Sequence, residues 1–264
     1  MSRTELIIVD PQIDFCDPNG ALSVAGADKD MERLAVMIDK IGKTISQIHV
    51  TLDSHHLLHV ANPLYWKDKD GNHPDPFTII TLQDVKDSKW GTFLPQCRQS
   101  ALNYLEQLEK SGRYPLCIWP PHCLIGSPGH AVFPVLYDAL CRWESSKPWV
   151  INFVSKGSNV NTEHYSAVKA EVPDPNDPTT QINSRLINIL ENADTLLISG
   201  EAGSHCVANT VRDIANAFKN DDCIKKMVLL EDSTSPVTGF ENLQNDFIEE
   251  MKYRGVKISK TTDF

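Results

Sequence analysis

The stretch TLLISGEAGSHCVANTVRDIANAF, residues 195–218, carries the plan of the whole chain. Thr195–Ser199 is a short, mostly apolar run without strict alternation, the pattern of a strand buried on both faces. Small residues follow from Gly200 to Ser204, and then the period changes. Val207, Val211, Ile214, Ala215 and Phe218 recur at helical spacing and make one apolar face. The same succession appears along the rest of the chain. Leu6–Val9 ends at Asp10, Ile48–Leu52 at Asp53, and Leu116–Trp119 at Pro120. Val150–Val154 stops before Lys156, and Lys226–Leu230 before Glu231. Amphipathic patterns at Met31–Ile45, Leu94–Leu108 and Leu243–Met251 lie between or after these runs. Strands alternating with helices predict an α/β fold, a mostly parallel sheet covered on both sides.

The chain has 264 residues, 41% of them hydrophobic and 23% charged, the composition of a soluble globular protein. Its net charge of −10 and the absence of any basic run argue against a nucleic-acid partner. No window approaches a membrane span, and the apolar stretch near the N-terminus is too short for a signal peptide. Seven cysteines without paired spacing read as a reduced set. The expectation is therefore a cytoplasmic protein with a small or neutral substrate. Residues 61–93 are rich in Pro, Asp, Lys and Trp, and within them KDKDGNHPDP is predicted to be neither strand nor helix. EVPDPNDPTTQ (171–181) reads as a second proline-rich loop. Neither stretch suffices for a domain, so the chain reads as one domain over residues 1–264 with insertions near one rim.

In an open parallel sheet, ligands bind outside the carboxyl ends of the strands. Those ends carry Asp10, Asp53 with His55, the Trp119–Cys123 stretch, Lys156 and the Gly200–Cys206 turn. Any one of them could be a cap or turn residue, but together they suggest a site. Cys206 opens a helix, where the dipole favours a thiolate and exposed amides could receive an oxyanion; equally, it is a small buried residue. A thiolate nucleophile needs a proton shuttle and a compensating charge, which Asp10 and Lys156 could supply. His205 lies beside Cys206 but points away from it on a helix and reads as structural. Asp53, His55 and His122 make a set of two imidazoles and one carboxylate that suits a divalent Zn, Fe or Mn. His59 is a candidate fourth ligand.

Five ordered motifs resemble those of the isochorismatase-like cysteine hydrolases. They are LIIVDPQIDFC (6–16), DSH (53–55), WPPHCLIGSPG (119–129), KGSNVNTEHYSA (156–167) and GEAGSHCVANTVRD (200–213). Within that superfamily they are most similar to nicotinamidases, and the likeness covers nearly the whole chain apart from an insertion at about 61–115. The resemblance implies a six-stranded α/β/α sandwich with a triad of Asp10, Lys156 and Cys206. It implies a cis peptide between Glu201 and Ala202, and an oxyanion hole formed by the N–H groups of Ala202 and Cys206. It also implies a divalent metal at Asp53, His55 and His122 that binds a pyridine nitrogen. Phe15 and Trp119 match aromatic walls around a flat ring, and Tyr165 matches a residue near the same pocket. The implied activity is hydrolysis of nicotinamide to nicotinate and ammonia through a Cys206 thioester, serving NAD recycling, in a homo-oligomer.

Two departures bear on the substrate. Glu201 stands where the family usually has an aliphatic residue, and it would face either the pocket or a subunit contact. The insertion, with Trp66 and Trp90, would form a lid or an oligomer surface. They leave open a hydrolase acting on another small amide, and a non-catalytic ligand-binding relative.

Overall fold

The computed structural model describes residues 2–264. Six strands form the central sheet: β1 (Thr4–Val9), β2 (Ile45–Asp53), β3 (Asn152–Lys156), β4 (Thr195–Gly200), β5 (Met227–Leu230) and β6 (Lys257–Ser259). Their spatial order is β6-β5-β4-β1-β2-β3, and every pairing is parallel. The central strands β1 and β4 are buried along almost their whole length, as their unbroken apolar runs require.

Six helices of eight residues or more accompany the sheet: α1 (Ala27–Ile41), α2 (Arg98–Ser111), α3 (Pro134–Ser145), α4 (Ser184–Glu191), α5 (Cys206–Ala217) and α6 (Glu241–Arg254). The chain moves from β1 through β2 to β3 in one direction and from β4 through β5 to β6 in the other. Right-handed crossovers then put α1 and α3 on one face and α5 and α6 on the opposite one. The first pair packs together, as does the second. The result is the expected α/β/α arrangement around a six-stranded sheet.

Membership of the sheet differs from the sequence reading in one strand. Leu116–Trp119 is not part of it; Leu116–Cys117 pairs antiparallel with Ile79–Ile80 in a separate two-residue ribbon. An apolar run of four looks the same whether it lies in a central sheet or is buried under a loop. The sixth strand is instead Lys257–Ser259, an edge strand too short and too polar to stand out. Two helices, α3 and α4, were also not anticipated, and α1 starts four residues earlier than its apolar pattern, after Gly26. Trp66–Lys67 pairs with Gly91–Thr92, so KDKDGNHPDP begins one residue inside a strand before the turn around Asp68. Among the described residues no helix is long and apolar enough to cross a membrane.

The core face of α1 holds Met31, Leu34, Ala35, Met37 and Ile38, while Val36 is 68% exposed. Leu34→Ala should lower the unfolding free energy by about 2–5 kcal/mol and Val36→Ala by no more than about 0.5 kcal/mol, as read by urea denaturation.

Candidate active site

The direction of chain growth reverses between β1 and β4, so the crossovers after them part and leave a crevice at their carboxyl ends. Val9 and Gly200 are register partners there, which sets Asp10 beside the turn that leads to Cys206. One strand over, Asp53 of β2 and Lys156 of β3 are also register partners. Four chemistry-bearing residues thus reach one edge through sheet register alone. Asp10 has φ 44°, a conformation few non-glycine residues adopt. Thr51 holds it: the Asp10 N–H donates to Thr51 Oγ1 at 3.0 Å, and the Thr51 hydroxyl donates back to Asp10 Oδ1.

The Lys156 ammonium is the hub of the group. Its N–H bonds go to His164 O at 2.9 Å, Asp53 Oδ1 at 3.1 Å and Cys206 Sγ at 3.6 Å. Asp10 Oδ2 lies 2.8 Å from the same nitrogen, a buried ion pair. This oxygen is buried from solvent. Cys206 and Asp10 are themselves within hydrogen-bonding reach. Burial raises the Asp10 pKa despite the opposing charge of Lys156. For Lys156, burial disfavours the charge, but Asp10 and Asp53 outweigh it and hold the ammonium well above its ordinary range.

The thiol departs from the sequence reading. Burial pushes Cys206 well above the ordinary thiol pKa; Lys156 opposes the shift, and Asp10 and Asp53 add to it. The start of α5 does not suffice to make it a standing thiolate. The resting sulfur is an S–H beside the Asp10 carboxyl.

Asp53, His55 and His122 bring ligand atoms within 4.8 Å of one another. His55 Nδ1 lies 3.1 Å from Gly157 O, and His122 Nδ1 lies 2.8 Å from Pro120 O. A carbonyl can only accept, so both Nδ1 atoms carry hydrogen and both Nε2 atoms turn inward. Those Nε2 atoms sit 2.9 and 3.4 Å from Asp53 Oδ2. In neutral imidazoles this sets lone pairs against a carboxylate, an arrangement that calls for a cation or a proton between them. Carbonyl-anchored imidazoles are also the usual outer support of a metal ligand, so the residues fit a divalent ion. Gly157 (φ +86°) packs on this set, and a Cβ there would fall 2.8 Å from Asp53 Oδ1.

His59 does not belong to the ligand set. Its Nδ1 accepts from the Ala61 N–H and its Nε2 meets Thr162 O, both at 3.2 Å, so neither nitrogen is free. The ring lies 4.4 Å from that of His55 and packs it in place.

A small cavity opens onto Cys206 and His122. Phe15, Trp119 and Tyr165 line it, together with Ala202 and Asp53. Trp119 Nε1 donates to the Tyr165 hydroxyl at 3.1 Å. The peptide between Glu201 and Ala202 is cis, as the family resemblance implied. Four further lining residues were not anticipated: Leu22, Glu163, His205 and Val237. Glu163 looks like any acid in a polar loop, yet it is 4% exposed with Oε1 held by the His164 N–H. His205 bonds Ser204 rather than Cys206, and its ring packs against Tyr114, Trp119 and Phe240. Burial pushes its pKa down to about 4, so it serves as a neutral aromatic wall. Glu201 corrects both earlier readings: it is fully buried, and its carboxyl meets Ser235 and Asp30 rather than the cavity or solvent. A wider groove of about 1120 Å³ opens near Arg3, Lys43 and Trp149, at the amino-terminal edge of the sheet, but it contains no nucleophile beside a base.

No family model matches the chain. It is 23% identical over 253 residues to the nicotinamidase of Saccharomyces cerevisiae, covering 96% of this chain and 97% of the relative. The solved yeast nicotinamidase bound to the inhibitor nicotinaldehyde superposes with a TM-score of 0.67 at 22% identity, covering 97% and 99% of the two chains. The chain has the nicotinamidase fold. The pyrazinamidase of Pyrococcus horikoshii in complex with zinc also matches, with a TM-score of 0.57 at 22% identity and coverage of 98% and 99%.

Lys156 compensates two buried carboxylates at once. Lys156→Met should therefore cost about 3–5 kcal/mol in urea denaturation of chelator-treated protein; a cost under about 1 kcal/mol would show that its charge is not needed there.

Proposed function

We propose that the protein is a nicotinamidase, hydrolysing nicotinamide to nicotinate and ammonia with Cys206 as nucleophile. The carrying observation is that Cys206 lines one small aromatic cavity while its sulfur lies against the Lys156 ammonium, which pairs with the buried carboxyl of Asp10. Aromatic walls of this kind suit a flat ring. Phe15, Trp119 and Tyr165 would flank it and exclude water.

In the proposed reaction Asp10 takes the Sγ proton, and the sulfur attacks the carboxamide carbon as the proton leaves. Lys156 keeps the pair of charges tolerable in a dry site. The negative charge that develops on the carboxamide oxygen is received by the N–H groups of Ala202 and Cys206. Asp10 then returns the proton to the leaving nitrogen, the C–N bond breaks, and ammonia departs. Asp10 next accepts a proton from water as the water attacks the thioester. The C–S bond breaks, nicotinate leaves, and the thiol is restored. Asp53, His55 and His122 would hold a divalent cation, whose contribution is a Lewis-acidic point that fixes a pyridine nitrogen and so orients the ring. Nicotinate made in this way would feed the reuse of pyridine nucleotides.

A different small amide loses its main support because Glu201 does not face the cavity. A non-catalytic binder would have no use for Cys206, Asp10 and Lys156 assembled together.

Ammonia release from nicotinamide should be readily measured for the native protein and fall at least about 10³-fold in Cys206→Ala and Asp10→Asn. Release from another amide but not from nicotinamide would overturn the substrate, and no release with any amide would overturn the enzyme. Elemental analysis should find one divalent ion per chain, lost in His55→Ala and His122→Ala but retained in His59→Gln; retention in all three would contradict the ligand set.

A further inference from the structure

Glu201 is a buried titratable group that the proposed reaction does not use. It is 0% exposed, and its Oε2 accepts from the Ser235 N–H at 3.0 Å. Its other oxygen, Oε1, is buried without a hydrogen-bond donor, and the Asp30 carboxyl lies within hydrogen-bonding reach of the Glu201 side chain. Asp30 is 2% exposed and already serves as an acceptor, from Arg33 Nη2 and from Ser235 Oγ at 2.6 Å. Two carboxylates in contact in such a place cannot both be charged. Asp30 has the cation, so the proton belongs on Glu201.

We infer that Glu201 is a neutral carboxylic acid that positions the oxyanion side of the cavity: Oε1–H donates to Asp30, while Oε2 clamps the Ser233–Val237 segment onto the turn before Cys206. The inference rests on the reading of Cys206 as nucleophile. Two more bonds complete the clamp. The Gly203 N–H donates to Ser235 O at 2.8 Å, and the Val237 N–H donates to Ser204 Oγ at 3.0 Å. The packing is close enough that a Cβ on Gly203 would fall 1.9 Å from Gln244 Oε1 and 2.8 Å from Thr234 Oγ1. Ala202, His205, Cys206 and Val237, which this clamp joins, all line the cavity. Glu201 is thus a positioning residue for the Ala202 amide and the Val237 wall.

The surrounding charges fit this assignment. Arg33, Asp30 and Asp28 of α1, the thiol of Cys16 and Asp10 at the end of β1 are the ionisable groups gathered around Glu201 and its neighbour Cys16. Of these only Arg33 is cationic, and its Nε is drawn to Asp232 O at 2.6 Å. Burial first, and Asp30 second, push Glu201 well above the ordinary carboxyl range. A proton retained only in the folded state stabilises the fold below the ordinary glutamate pKa, and that advantage is lost as pH rises toward the folded value.

Glu201→Gln supplies the test, because an amide can donate to Asp30 and accept from Ser235 at every pH. The Tm of the native protein minus that of Glu201→Gln should fall by roughly 2–4 °C per pH unit from pH 5 upward. A difference that does not change with pH overturns the protonated state, whether or not nicotinamide is a substrate. For positioning, Glu201→Ala should lower kcat for nicotinamide at least about tenfold with a smaller change in KM, and Glu201→Gln should restore most of it. Full kcat in Glu201→Ala overturns the positioning role. If the native protein does not turn over nicotinamide, the rate of Cys206 alkylation replaces kcat in the same comparison.

Discussion

One buried ammonium group holds the site together. Lys156 lies within 3.1 Å of carboxylate oxygens from two different strand ends, and its remaining directions are taken by a backbone carbonyl and the Cys206 sulfur. Without it, Asp10 and Asp53 would be like charges in a place that water does not reach, and the fold could not bring them together. With it, the proposed proton-transfer group and the proposed metal-ligand set share one cation. Asp53 belongs to both, since Oδ1 faces Lys156 and Oδ2 faces the two imidazoles. A change in the charge of the ligand set is therefore felt at the sulfur through two contacts.

Sheet register makes this possible. Val9 opposite Gly200, and Asp53 opposite Lys156, are consequences of parallel pairing at a point where the topology reverses. The thiol is kept as S–H by its burial and by the neighbouring acids, so in the proposed reaction the sulfur turns nucleophilic only as Asp10 accepts the proton. An S–H held this way is protected from stray oxidation and alkylation. Glu201 and Asp30 repeat the same theme a few residues away: a buried carboxyl pair with one cation, one proton and a backbone segment to hold.

Much of this was legible in the sequence, for identifiable reasons. Buried parallel strands appear as apolar runs, and the residue after each run lands at the ligand edge, so Asp10, Asp53, Lys156 and Cys206 could be picked out before any coordinates. Other features left no local trace. Lys257–Ser259 is an edge strand with one apolar residue, and Leu116–Trp119 has the composition of a central strand while pairing elsewhere. The pKa direction of Cys206 depends on burial and on acids distant in sequence, whereas the helix-start argument considers only its own element. His59 and Glu201 turned on which atoms their side chains meet: an amide and a carbonyl for one, Ser235 and Asp30 for the other. Spacing could not have told a ligand from a support, or a pocket wall from a clamp.

The claim at the centre of this account is a covalent bond between Cys206 and the acyl group of the substrate. Rapid quenching of the protein in acid during turnover of nicotinamide, followed by peptide mass spectrometry, tests it directly. The account predicts a nicotinoyl thioester on the peptide that contains Cys206 and on none of the other six cysteines, decaying once substrate is exhausted. Turnover with no acyl group on Cys206 at any quench time, together with ammonia release that survives in Cys206→Ala, would contradict it.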